Sequence, residues 1–285
     1  MPSLSVIVPY RGNDSNIEKT LLSLLENRPH DAEILVVHDG SYRDPYDLGD
    51  EVLFVEAAAG ASSVDLWNEG IMAACAPIVH TLVDGIAVLP GWTDLACELF
   101  AQDSIAASAV GLKYRSSSTY GIATHALDTP ARLRKRHVFS LSADAPVSAP
   151  QISCGFYRKS VLLDLEGFRG TNMAEAELEM AYAFDTLGLE CVVDDTTEVL
   201  VEAVPTEIGS RQLAMIAVDY GILRNGTISG ISEALSAALV NPQGAISWSL
   251  GIVSAKYGQH QARITLARER RKERLQPHNF GKRAA

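Results

Sequence analysis

Short apolar, β-branched runs alternate with helix-length segments through the first hundred residues. Residues 4–8, 33–37, 52–55 and 78–82 read as strands, since each is dominated by Val, Ile, Leu or Phe and lacks helical spacing. Between them, residues 16–26 set Ile17, Leu21, Leu24 and Leu25 on one helical face behind a cap at Asp14 or Ser15. Residues 63–75 carry a similar stripe through Leu66, Ile71 and Ala74. This alternation implies a mainly parallel sheet covered by helices.

Between Lys113 and Pro150 the pattern dissolves into Ser116, Ser117, Ser118 and Thr119, a basic cluster at Arg132, Arg134, Lys135 and Arg136, and two prolines, Pro146 and Pro150. A long loop is the expectation here. Order returns with a strand at 152–157, helices at 159–165 and 174–187, and short strands at 190–193 and 199–201. From Ser210 onward the pattern reads as helices broken by Gly226, Gly230 and the Asn241-Pro242 turn.

Composition narrows the class. With 285 residues, 47% of them hydrophobic, the chain can bury a full core, which excludes overall disorder. The first segment is strand-like with no charged stretch before it or cleavage site after it, so the expected location is the cytoplasm. The apolar stretch 235–255 is interrupted by Asn241, Pro242, Gln243 and Gly244, too early for a membrane span. Cys75, Cys97, Cys154 and Cys191 show no CxxC spacing and read as reduced core thiols. Net charge is −11, yet residues 256–285 hold nine Lys or Arg against two acids. The strongly acidic remainder argues against nucleic acid binding.

Three segments fall at the carboxyl ends of expected strands, where open parallel α/β sheets place ligands. They are Val8-Pro9-Tyr10-Arg11, Val37-His38-Asp39-Gly40-Ser41 and Leu82-Val83-Asp84-Gly85. Such ends can offer a polar, anionic ligand a carboxylate acceptor, backbone donors and a cationic group. Asp39 has the chemistry to accept from an N–H or hydroxyl donor of a ligand; an Asp-Gly turn with no ligand role is the alternative. His38, His80 and His125 lack ligand spacing and read as structural, and Trp67 and Trp92 read as core.

In order and spacing these segments, with Asn68-Glu-Gly-Ile71 and Leu89-Pro-Gly-Trp92, resemble the nucleotide-binding half of family 2 glycosyltransferases of the GT-A fold. Cys154-Gly-Phe-Tyr-Arg158 and Leu165-Glu-Gly-Phe168 resemble that family's acceptor region. The resemblance implies an α/β, Rossmann-like domain. Its nucleotide-sugar half would be residues 1–110, its acceptor half 111–208, and a helical extension with a basic tail 209–285. It implies inverting transfer of a glycosyl unit from a nucleotide-diphosphate sugar to a hydroxyl of a glycan, lipid-linked saccharide or small molecule. Pro9, Tyr10, Arg11, Asp39, Gly40, Ser41, Asn68 and Asp84 would bind the donor.

The chain departs from the family at two places. Asp84 matches one acid of the metal motif, but Gly85 stands where the principal Mg²⁺- or Mn²⁺-binding acid is expected, so Asp84 alone would hold a weakly bound ion. The helix that usually opens with E-D-x-D here reads Ala176-Glu-Leu-Glu179, placing Glu177 at the catalytic base; Glu175 is a one-residue alternative, and a solvated first helical turn is another reading. These departures motivate a rival: a pseudo-glycosyltransferase that binds nucleotide sugar, or scaffolds, without turnover. The basic tail, residues 263–274, reads either as a peripheral contact with an anionic membrane or as a solvated helix with i,i+4 pairs.

Overall fold

The computed structural model describes residues 2–114, 120–122, 124–127, 135–137, 147–170, 172–201 and 259–275. The expected helices of 210–255 lie outside them. In chain order the elements are β1 (Leu4–Pro9), α1 (Asp14–Glu26), β2 (Ala32–His38), β3 (Leu53–Glu56), α2 (Ser63–Ala73), β4 (Ile78–Leu82), β5 (Ala87–Val88) and α3 (Asp94–Leu99). There follow β6 (Ile105–Tyr114), β7 (Tyr120–Ile122), β8 (Thr124–Leu127), β9 (Lys135–His137), β10 (Ala149–Pro150) and β11 (Cys154–Arg158). Then come α4 (Lys159–Asp164), α5 (Met173–Leu187), β12 (Glu190–Val201) and α6 (Gln259–Leu275).

The main sheet runs β3-β2-β1-β4-β11-β6-β12-β5, with β7 beside β6. The pairs β3/β2, β2/β1, β1/β4 and β6/β12 are parallel; β11 is antiparallel to both β4 and β6. Successive residues of β1 serve opposite faces. Ile7 belongs to the core layer that takes in α2, α4, α5 and α6, whereas Leu4, Val6 and Val8 belong to the layer that takes in α1 and α3. Both faces are therefore covered, which is why these strands read as unbroken apolar runs.

Helix ends follow from local chemistry. Asn13 caps α1 by accepting from Asn16 N at 3.0 Å, one residue before the expected cap at Asp14 or Ser15. Ser62 and Asp65 form a reciprocal capping box on α2. Asn172 caps α5, and Gly188 ends it at φ 60°.

Two expectations change. The stretch read as a long loop contributes the end of β6 and all of β7 to the main sheet, and β8, β9 and β10 to a second sheet in the order β10-β8-β9. The small sheet packs on α5. The two short strands at 190–193 and 199–201 are one strand, β12, whose register on β6 shifts between Asp194 and Glu198.

Several arginines of the basic tail are engaged by the fold. Within α6, Arg263 is buried; Arg268 donates to Thr186 O at 2.7 Å and Arg274 to Asp164 at 2.6 Å. Arg270 reaches the Leu163 and Asp164 carbonyls and Glu166. These arginines thus sit on the carbonyl ends of α4 and α5, where positive charge suits the helix dipole. Of the thiols, Cys154 is buried as expected, but Cys75 and Cys97 are exposed. Among the described residues no helix is long and apolar enough to cross a membrane.

Candidate functional site

The carboxyl ends of β2, β1 and β4 lie side by side, and the polar residues singled out in the sequence gather there. At β1, Tyr10 N extends the ladder to Val37 O at 2.8 Å, and its ring meets Tyr42 edge-on at 4.9 Å. Its hydroxyl donates to Asp14 at 2.7 Å. That bond, reinforced by burial, pushes the phenol up to about 12.

At β2, the Asp39 carboxylate accepts from the Ser41 hydroxyl at 2.5 Å and the Ser41 amide at 3.3 Å. Those two donors hold it below the ordinary carboxylate range. Gly40 has φ 86°, and a Cβ there would lie 3.2 Å from Glu56 Oε1, so the turn favours glycine on backbone grounds. His38 Nδ1 accepts from Gly40 N at 3.1 Å, in keeping with a structural histidine.

At β4, Asp84 is engaged by Arg11, whose Nε and Nη2 both donate to Oδ1, at 2.8 and 2.6 Å. The next residue, Gly85, has φ 95°, donates to Thr20 Oγ1 at 2.8 Å, and would set a Cβ 3.3 Å from the Asn16 carboxamide. An acid introduced at Gly85 would therefore be strained. Asp84 Oδ1 faces a guanidinium, and among the described residues no group of three or more His, Cys, Asp or Glu is placed to hold a metal.

Arg11 also joins this edge to α5, with Nη1 3.7 Å from Met173 Sδ in the first turn. Glu177 lies one turn on from Met173 on the same helical face. It is buried, close enough to the Tyr157 phenol to add to the upward push that burial exerts there. Glu175 is half-buried in the first turn, and Glu179 is paired with Arg263.

Several motif residues support the fold instead of facing the strand ends. The Asn68 carboxamide donates to Phe168 O and accepts from Phe168 N, both at 2.8 Å, and so tethers α2 to the loop before α5. Gly70 lets α2 lie directly on the sheet, since a Cβ would come within 2.4 Å of Ile7 Cγ2. Trp92 is core, against His80 and Phe156, and donates to Asn27 O at 3.1 Å. His80 is fully enclosed and burial pushes it down to about 3, which keeps it neutral. Arg158 donates to the carbonyls of Ile105, Phe100 and Gln102. Met173, Tyr42 and Arg263 escaped sequence reading; only Asn172, three before Glu175, carried a legible signal as a helix cap.

No family model matches the chain, and no curated protein matches it in sequence. Solved structures match it in fold. GalNAc-T7, crystallised with UDP, GalNAc and Mn²⁺, superposes with a TM-score of 0.64 at 12% identity, over 95% of this chain and 54% of its own. The chain thus spans about half the length of that protein. Residues 1–349 of S. aureus TarS with UDP-GlcNAc give 0.56 at 13% identity, over 94% and 79%. The mannosyltransferase PcManGT from Pyrobaculum calidifontis with GDP-Man and Mn²⁺ gives 0.53 at 18%, over 96% and 88%. The fold is GT-A: a mixed, mostly parallel sheet flanked by helices, with glycosyltransferases as structural neighbours.

Proposed function

We propose that this protein is a glycosyltransferase that moves a glycosyl unit from a UDP- or GDP-linked sugar to an acceptor hydroxyl, with inversion. The observation that carries the reading is the contact chain from Asp84 through Arg11 to Met173, which joins the β1 and β4 ends to the helix bearing Glu177. Asp39 lies on the neighbouring strand end, held ionised for a base imide or ribose hydroxyl. Nucleotide-sugar complexes among the structural neighbours favour the same donor class. Pro9, Tyr10, Gly40 and Ser41 would frame the nucleotide. Inversion requires one base opposite the leaving diphosphate, and Glu177 is the carboxylate assigned to it, with Glu175 as the alternative. The acceptor is a glycan, a lipid-linked saccharide or a small molecule.

A second reading, a nucleotide-sugar-binding module without turnover, is favoured by the burial of Glu177 and by the incomplete donor set around Asp84. Incubation with a panel of UDP- and GDP-sugars and simple glycoside acceptors, followed by mass spectrometry and NMR of the new anomeric centre, separates them. Transfer with inverted configuration supports the transferase. Retained configuration overturns the mechanism, and binding without turnover of any donor favours the module.

A further inference from the structure

The GT-A neighbours include two crystallised with Mn²⁺; in this chain Asp84, the acid that the family resemblance offers to such an ion, already accepts from Arg11. Asp84 has a side chain 2% exposed, and a carboxylate so enclosed needs a positive or hydrogen-bonding partner. Arg11 provides it through Nε and Nη2, both on Oδ1. A divalent ion bound to this carboxylate would stand beside a guanidinium already engaged with its Oδ1. Like charges so close disfavour one another, and the acid that would favour the ion is absent at Gly85, whose φ of 95° disfavours any side chain.

Arg11 also retains donors. Of the five N–H groups a guanidinium carries, two are directed at Asp84 and one at the Met173 thioether, a weak acceptor. Two remain without a protein acceptor among the described residues. The side chain is 36% exposed, at the sheet edge where parallel α/β folds place ligands. A guanidinium locked in orientation by a buried carboxylate, with spare N–H groups, suits phosphate oxygens geometrically as well as electrostatically.

From this the structure assigns Arg11, held by Asp84, as the cation that meets the donor's diphosphate in place of a divalent metal. The assignment rests on the nucleotide-sugar reading above. Asp84 is then a positioning residue, and its carboxylate fixes the guanidinium instead of coordinating an ion.

Calorimetric titration with UDP, GDP and inorganic pyrophosphate, in EDTA and in Mn²⁺, tests it on the full chain and on Arg11→Lys, Arg11→Gln and Arg43→Gln. Thermal melting reports whether each variant is folded. The parent should bind a nucleoside diphosphate and pyrophosphate with affinities that agree within about twofold in EDTA and Mn²⁺. Arg11→Gln should weaken both by about 10- to 100-fold, the range for a hydrogen bond to a charged group. Arg11→Lys, which keeps the charge but not the fork, should lose less, and Arg43→Gln, an exposed arginine just past the Asp39 turn, should change neither. Binding that appears only with Mn²⁺, or that survives Arg11→Gln undiminished, overturns the assignment. If Arg11→Gln does not fold, the EDTA comparison on the parent and on Arg11→Lys decides. Metal-free pyrophosphate binding through Arg11, with no nucleoside diphosphate bound more tightly, would uphold the cation and sink the nucleotide-sugar reading. Nucleotide binding that needs Mn²⁺ would do the reverse.

Discussion

Arg263 Nη1 lies 3.0 Å from Glu179 Oε1, and the two side chains are 2% and 3% exposed. The pair joins α6 to α5, and the same guanidinium donates to the carbonyls of Leu165 and Gly167. Removing the cation strands a buried carboxylate, so Arg263→Met should destabilise the protein by about 3–5 kcal/mol, while Arg263→Met with Glu179→Met should recover much of that. Urea unfolding of the two variants measures it. A single variant within about 1 kcal/mol of the parent would mean that α6 docks without this pair.

Thr20 pins the turn that carries Asp84. Its buried hydroxyl accepts from Gly85 N and donates to Ile86 O, each at 2.8 Å. Thr20→Val keeps the shape but leaves both backbone groups unpartnered. A loss of about 1–3 kcal/mol is expected in chemical denaturation. An unchanged unfolding midpoint would show that the turn holds without the hydroxyl.

Asp39 should set the acid limit of nucleotide binding. Its folded value is depressed below the ordinary 3.8, so the carboxylate stays ionised, and able to accept, as pH falls through the usual carboxylate range. Affinity should be flat from about pH 8 to about pH 5 and decline only below that. Ser41→Ala removes the stronger of the two bonds that depress it, so the acid limb should move to higher pH. Identical limbs in parent and variant would place the nucleotide contact elsewhere. Asp39→Ala should weaken binding about tenfold at neutral pH, read in the same titrations.

Glu177→Gln tests the base. It preserves size and much of the hydrogen bonding, yet cannot take the acceptor proton, so kcat should fall about 100- to 10,000-fold with nucleotide affinity nearly unchanged. Glu175→Gln should be mild. Were the two variants equally active, the base would lie outside α5.

The fold was legible because strands buried on both faces leave unbroken apolar runs and amphipathic helices leave stripes; β4 matches its expected bounds and β1 extends one residue further. The strands between Lys113 and Pro150 were not, because they are only two to four residues long, too short for a period to show, and their pairing with β6 and with one another is tertiary, invisible in local pattern. The site was legible only as a set of strand ends. Asp39, Arg11 and Asp84 do meet there, but the sequence could not show that Arg11 would take the Asp84 oxygen. Nor could it show that Asn68, Gly70 and Arg158, which also carry the family resemblance, are engaged in packing α2 and α3, whereas Trp92 sits in the core as read.

The tether between α2 and the loop before α5 depends on an empty space. A Cβ at Gly167, which also has φ 77°, would come within 2.3 Å of Asn68 Oδ1. The carboxamide and the missing methyl therefore occupy one volume, and neither residue can change size while the other stays. Among relatives that share this loop, positions 68 and 167 should vary together: a chain that gains a side chain at the second must shorten the first and find another way to satisfy the Phe168 backbone. An alignment deep enough to count such pairs would read this contact from sequence alone.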